Sequence, residues 1–302
     1  MSAPQYRAQV QLLVRLLPLV AAERDFALKG GTAINLFWRS LPRLSVDIDL
    51  TYLPVADRAT SLAAIDAAMR RLAGAVCAAL PGSAVDLQGD NGAVRRLLVR
   101  DGGVQVKIEV TPVLRGVVFA AEDRTVAERV EAEFGFAEAR LVSFADLFAG
   151  KMVAALDRQH PRDLFDVRDL LATEGLTRPL MEAFLVYLVS HNRPMAEILD
   201  PHRLDITQEF ERNFAGMTTE PVALADLVQA REDLVAGIHA ALTDADRRFL
   251  LSVKTGAPDW DLIGLPQAAE LPAVRWKLRN LDALPTAKRE ALAARLKGVL
   301  GL

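Results

Sequence analysis

Apolar positions change their period twice within the first fifty residues. Residues 4–22 place Tyr6, Val10, Leu13, Leu16, Leu17 and Val20 near helical spacing, with Gln5, Arg7, Gln11 and Arg15 between them, which predicts an amphipathic helix. The short run Phe26-Ala27-Leu28-Lys29 leads into Gly30-Gly31-Thr32. The glycine pair breaks regularity, and Thr32 is placed to N-cap a second helix from Ala33 to about Arg39, which Pro42 ends. Over Leu44–Tyr52 the period shortens to two. Val46, Ile48 and Leu50 alternate with Ser45, Asp47, Asp49 and Thr51, so a half-buried strand is expected with two carboxylates on its open face.

A helix over about Ala56–Leu80 follows, rich in Ala, Leu and Arg and stopped by Pro81-Gly82. Three strand-like runs come next, Ala84–Gln88, Ala93–Arg100 and Val104–Thr111, the last two joined as a hairpin by Asp101-Gly102-Gly103. In the last run Val104, Val106, Ile108 and Val110 face one way, and Gln105, Lys107 and Glu109 the other. Residues 113–142 read as short mixed elements. Beyond Ser143 the pattern is helical, over about 144–157, 163–173, 178–191, 222–241 and 286–299, with Trp260 and Trp276 in irregular connections. The expectation is an α/β (α+β) chain, with a mixed-sheet domain over 1–140 and a mainly helical domain over 141–302.

Composition narrows the class without naming a function. The 302 residues are 51% hydrophobic and 25% charged with net charge −3, which excludes disorder and low complexity. The single cysteine, Cys77, reads as a buried helix residue and rules out an internal disulfide framework or a thiolate cluster. Arg7 and Arg15 interrupt the first apolar stretch, so a cytoplasmic protein is expected, and no apolar window is long enough to span a membrane. Residues 1–140 hold 17 Lys and Arg against 16 Asp and Glu, and the remainder 19 against 23. Neither half is a polycation, so a nucleic-acid partner would need a local patch. Arg39, Arg43, Arg95, Arg96, Arg100, Lys107 and Arg115 are its candidates, with a merely solvated face as the alternative.

The chemistry lies in an order of residues. Asp47 and Asp49 project from one face of a strand and can bridge hard cations, a pairing suited to a metal–triphosphate complex. If Glu109 lies on a neighbouring strand it completes a two-metal arrangement, as ligand or proton acceptor. Gly30, Gly31 and Thr32, at the start of a helix, could receive phosphate oxygens. No Walker A lysine follows, and no Gly-x-Gly-x-x-Gly is present. Singly, each piece is more often a tight turn or a solvated acid; in this order they point to a functional site that suits a metal–triphosphate complex.

That order resembles the polymerase-beta-like nucleotidyltransferase superfamily. Leu28–Ala33 and Leu41–Leu50 look like the first motif of the AbiEii/AbiGii toxin family. A second block agrees with it: Asp146-Leu147-Phe148-Ala149-Gly150-Lys151, Arg158, Pro161–Asp166 and Asp169. The resemblance spans roughly residues 26–170. It implies an N-terminal nucleotidyltransferase domain and a Mg-dependent toxin that transfers a nucleoside monophosphate from an NTP to the 3′ acceptor end of tRNA, blocks translation, and belongs to a toxin–antitoxin or phage-defence system with a cognate antitoxin. Asp47, Asp49 and Glu109 are then the metal ligands and, with Lys151, the catalytic set. Gly30, Gly31, Thr32, Lys151, Arg162 and Asp163 are the nucleotide-binding set. Lys151 would reach from the helical domain to the β and γ phosphates and Arg162 would add a planar fork, with a helix cap as the alternative role of Asp163. His160 is read as a loop residue, and Trp38, Trp260 and Trp276 as packing. No DNA or membrane partner is expected. Transfer to a protein side chain or a small-molecule hydroxyl, or a non-catalytic interaction module, would use the same fold.

Overall fold

The computed structural model describes residues 3–90 and 92–302. The chain divides into two units, Met1–Ser143 with Met217–Glu220, and Phe144–Gly216 with Pro221–Leu302. The first is built on a seven-stranded mixed sheet of β1 (Phe26–Lys29), β2 (Asp47–Tyr52), β3 (Ala84–Asp90), β4 (Ala93–Asp101), β5 (Val104–Thr111), β6 (Glu122–Thr125) and β7 (Glu138–Leu141), in the order β3-β4-β5-β2-β1-β7-β6. β2 runs parallel to β5 and antiparallel to β1. Alternation decides the faces. Phe26, Leu28, Ile48, Leu50, Leu97, Val99, Val106, Ile108 and Val110 are buried, and the sheet packs against α1 (Ala3–Ala21) and α3 (Arg58–Ala79). On α3 the stripe Ile65, Met69, Leu72 and Val76 is buried, whereas Cys77 falls one step off it and is exposed, contrary to expectation.

The segment between β1 and β2 departs from the sequence reading. A helical turn, α2 (Gly30–Ala33), starts at Gly30 itself, with φ +75° there, and continues as a π-turn over Ile34–Trp38. Lys29 therefore occupies the N-cap position and Thr32 lies inside the turn, its hydroxyl donating to the Asp47 carbonyl at 2.5 Å rather than capping. β2 begins at Asp47, later than the alternation suggested. The residues before it pair elsewhere: Arg43 bridges Thr218, the Leu44 amide donates to Met217, and the Thr219 amide donates to Pro42. Before α4 (Glu128–Phe134), the Ala127 amide is held by the Leu36 carbonyl.

The second unit is helical: α5 (Phe144–Arg158), α6 (Pro161–Thr173), α7 (Arg178–Ser190), α8 (Met195–Leu199), α9 (Thr207–Asn213), α10 (Leu224–Ala241), α11 (Asp244–Thr255), α12 (Pro272–Asp282) and α13 (Thr286–Leu300). α5 packs on α7 and α6 on α10, around Phe148, Phe165, Phe184 and Phe249. His160 lies in the short connection between α5 and α6, as expected, and has a definite job there. It is the N-cap of α6, its Nδ1 accepting from the Arg162 amide at 3.1 Å ahead of Pro161 at the first helical position. Gln159 before it has φ +50°, and its side chain accepts from Leu204 and Arg231 and donates to His202, which over-determines this strained corner. Trp260 is buried against Phe249 in a short 3₁₀ turn. Trp276 is neither packing nor in a connection: it lies on α12 and is 49% exposed. No helix among the described residues is long and apolar enough to cross a membrane.

Candidate active site

Strand register assembles the site. Lys29 lies opposite Asp49, Asp49 opposite Glu109, and Glu109 opposite Arg96, so four strands contribute one row in which two adjacent acids are flanked by two bases, + − − +. In the next row, on the same face, Asp47 lies opposite Lys107. The charges are closely matched. Glu109 accepts from Arg96 at 2.7 Å and meets Lys107 at 3.2 Å, and the same Lys107 ammonium lies 3.5 Å from Asp47. Burial works against the Glu109 carboxylate, but Arg96 and Lys107 outweigh it and hold its pKa below the usual range. Burial likewise works against the Lys107 ammonium, and Asp47 and Glu109 outweigh that, so its pKa is raised.

Lys29 is the residue that sequence reasoning missed. It is half-buried, its ammonium donates to Thr111 at 3.1 Å, and desolvation lowers its pKa against the pull of Asp49 and Glu109. The signal was present in β1, where Ala27 and Lys29 alternate with buried Phe26 and Leu28, placing Lys29 on the carboxylate face. Among the basic candidates, Arg43 and Arg115 are buried, Arg95 pairs with Asp90, Arg100 with Asp86, and Arg96 and Lys107 with the acids above. Arg39 is half-buried and donates to the Trp38 carbonyl at 3.1 Å, so among the described residues these seven do not form the basic patch that the sequence suggested.

The glycine turn touches this row directly. A Cβ at Gly30 would lie 2.7 Å from Asp49 Oδ2, and one at Gly31 would lie 2.7 Å from Ser45 Oγ and 2.8 Å from the Arg43 guanidinium. Only glycine lets the backbone approach the carboxylate and hydroxyl so closely. Thr32 is buried and its hydroxyl serves Asp47, so it orders the start of β2; Ser45, 3.2 Å from it, is the neighbouring hydroxyl.

A divalent ion fits these donors. Asp47, Asp49 and Glu109 present carboxylate oxygens on one face, the Asp47 side chain is 46% exposed, and a cation, the Lys107 ammonium, already bridges Asp47 to Glu109. The three acids do not close into a cage of their own, and no such group of three occurs among the described residues. Such a site needs further oxygens from solvent or substrate.

In the helical unit the expected residues form a separate network. The Lys151 ammonium is bound to Asp163 at 2.7 Å and Asp166 at 3.0 Å, and Arg158 reaches Asp163 at 2.6 Å. Asp163 is thus an ion-pair centre as well as a first-turn acid. Its burial would raise its pKa, but Lys151 and Arg158 hold it far below the usual value. Arg162 keeps a buried Nε with no hydrogen-bond partner.

Comparison with known proteins decides the family. The sequence model of the AbiEii nucleotidyl transferase toxins, type IV toxin–antitoxin systems, matches residues 11–280. The chain belongs to this family. It is a nucleotidyltransferase toxin, and the AbiEii match takes in both motif blocks, the glycine turn and the whole carboxylate row. Its fold is similar to that of MenT4, a nucleotidyltransferase toxin from Mycobacterium tuberculosis, at 16% identity and TM-score 0.60 over 93% of this chain and 95% of that one. No curated protein matches by sequence.

Proposed function

We propose that this AbiEii protein transfers a nucleoside monophosphate from an NTP to the 3′ acceptor end of tRNA in a Mg²⁺-dependent reaction in the cytoplasm, so blocking translation, and that a cognate antitoxin restrains it as part of a phage-defence system. The observation that carries the reading is the Asp47–Asp49–Glu109 face with the Gly30-Gly31 backbone against Asp49. Asp47, Asp49 and Glu109 would hold the metal, which supplies charge neutralisation on the triphosphate and a lowered pKa for the attacking hydroxyl. Lys29 and Arg96 keep the acids ionised and spaced, since each acid of the row has a cation beside it. Gly30 and Gly31 would offer backbone N–H groups to phosphate oxygens, with the Ser45 hydroxyl and the Arg43 guanidinium beside the turn. Lys151 is assigned to the charge developing on pyrophosphate, with Asp163 and Asp166 fixing its ammonium and the unpartnered Nε of Arg162 as a second donor. That assignment rests on the order of the two motif blocks along the chain.

The test is incubation with total RNA and each of the four α-labelled NTPs in Mg²⁺, beside Asp47→Ala and Asp49→Asn. Label in the tRNA band that both variants abolish supports the proposal. Label in protein or small molecules but in no RNA lane refutes the tRNA acceptor, and transfer by Asp47→Ala at the wild-type rate refutes the metal assignment.

A further inference from the structure

The cations of the sheet are engaged with carboxylates or buried, so an RNA acceptor must find positive charge elsewhere. It is concentrated at the end of the helical unit. Residues 272–302 hold seven Lys and Arg against two Asp and Glu, in a chain whose net charge is −3. α12 and α13 carry all of these charges. Lys277 is not part of their outer surface: it is buried, and its ammonium donates to the carbonyls of His191, Asn192 and Arg193 just beyond α7, which anchors α12. Arg289 is half-buried and pairs with Asp282 at 3.7 Å; the remaining five are exposed. Arg275 and Arg279 are four residues apart on one face of α12, with the exposed Trp276 beside them. Lys288 and Arg295, seven apart, share one flank of α13, and Lys297, nine residues from Lys288, is exposed on the opposite flank. Arg279, Lys288 and Lys297 make no ion pair among the described residues. The pairs of Arg275 with Glu270, at 3.5 Å, and Arg295 with Glu197, at 3.0 Å, are exposed and readily exchanged.

We propose that the outer surface of α12 and α13 is an RNA-binding surface, on which Arg275, Arg279, Lys288, Arg295 and Lys297 take backbone phosphates and Trp276 stacks on an unpaired base. The proposal rests on the RNA-acceptor reading above and deepens it. Charge complementarity selects the occupant: a segment of net +5 on a chain otherwise net −8 suits a polyanion. An acidic protein is the weaker fit, because protein interfaces centre on a cluster of buried apolar anchors, and Trp276 is the one large apolar side chain that these two helices expose. Exposed cations on both helices, with an exposed aromatic ring beside Arg275 and Arg279, are the kind of groups that single-stranded nucleic acid uses.

The experiment is binding of labelled total tRNA to the full chain across a salt series, with wild type, Arg279→Glu/Lys288→Glu/Lys297→Glu, the same triple to Gln, and Trp276→Ala. Charge reversal should weaken binding more than tenfold and flatten the log K against log salt slope by about two to three. KM for tRNA in the transfer assay should rise by a similar factor, with kcat at saturating tRNA unchanged. The Gln triple should lie between, and Trp276→Ala should lose about tenfold with little change in salt slope. Far-UV circular dichroism and a thermal melt establish that the variants are folded, and the Gln triple carries the test if the reversal is not. If wild type binds and labels tRNA while the Glu and Gln triples match it, the surface is wrong and the RNA reading stands. If wild type neither binds nor labels RNA, both fall. If the Glu triple keeps tRNA binding but loses an acidic protein partner, the surface is a protein interface and the proposal is overturned.

Discussion

Replacing Gly30 with Ala tests whether the turn and the carboxylate row form one device. Two costs separate cleanly. Gly30 has φ +75°, a left-handed conformation that costs an L-residue about 1–2 kcal/mol. The new Cβ would also stand 2.7 Å from Asp49 Oδ2, and to regain an ordinary 3.4 Å contact the carboxylate or the turn must retreat by about 0.7 Å. A shift of that order at a reacting centre is worth roughly 100-fold in rate. Gly102 supplies the control: its φ is +56° and an added Cβ meets nothing within 4 Å. Gly102→Ala therefore carries the backbone cost alone. Both variants should lose about 1–2 kcal/mol in urea unfolding. In the labelled-NTP assay Gly30→Ala should fall about 100-fold in kcat, with Gly102→Ala within about twofold of wild type. Equal activities for the two variants would refute the claim that Gly30 is required for its approach to Asp49.

Four further outcomes are expected. Lys29→Met removes the ammonium facing Asp49 and Glu109, so the carboxylates protonate more readily and the acid limb of the pH–rate profile moves to higher pH; an unmoved limb denies Lys29 its electrostatic role. Lys151→Met leaves Asp163 and Asp166 buried without their ammonium and should cost about 3–5 kcal/mol by urea denaturation. Because the folded pKa of Asp163 is depressed, the stability it contributes is fully present above the ordinary Asp pKa and is lost as pH falls through the lower folded value, so Asp163→Asn should flatten the acid side of the stability curve. Lys277→Met withdraws a donor from three carbonyls beyond α7 and should cost about 1–3 kcal/mol, measured by the same denaturation.

Faces were legible in the sequence, and neighbours were not. Alternation over Val46–Leu50 and Val104–Val110 placed Asp47, Asp49 and Glu109 on open strand faces. That β2 and β5 lie side by side and parallel, with Asp49 opposite Glu109, depends on strands 60 residues apart and has no local signature. The same long-range register hid Lys29 and turned Arg96 and Lys107 from an apparent basic patch into partners of the acids. In the helical half, α11 and α12 escaped because each has only a narrow apolar stripe, Phe249, Leu250 and Val253 in one, Val274 and Leu281 in the other. Lys151 was placed correctly on its helix, but nothing local shows that its ammonium turns onto α6. The three-residue spacing of Asp163 and Asp166 was the available hint, since it sets both carboxylates on one face.

The pairing of Pro42, Arg43 and Leu44 with Met217–Thr219 sets a schedule for the protein's own synthesis. These three residues lead directly into the Asp47 strand, yet their partners are made about 175 residues later. At roughly 5–20 residues per second, ribosomes need on the order of 10–35 s to cover that distance. From Glu109 onward, over the last 108 residues before Met217, the nascent chain holds every acid of the carboxylate row but lacks the clasp that seats the first of them. A fragment ending at residue 143 would remain in that unfinished state permanently. Removing Met217–Glu220 alone should leave the sheet's alternating core intact while loosening the entry to β2.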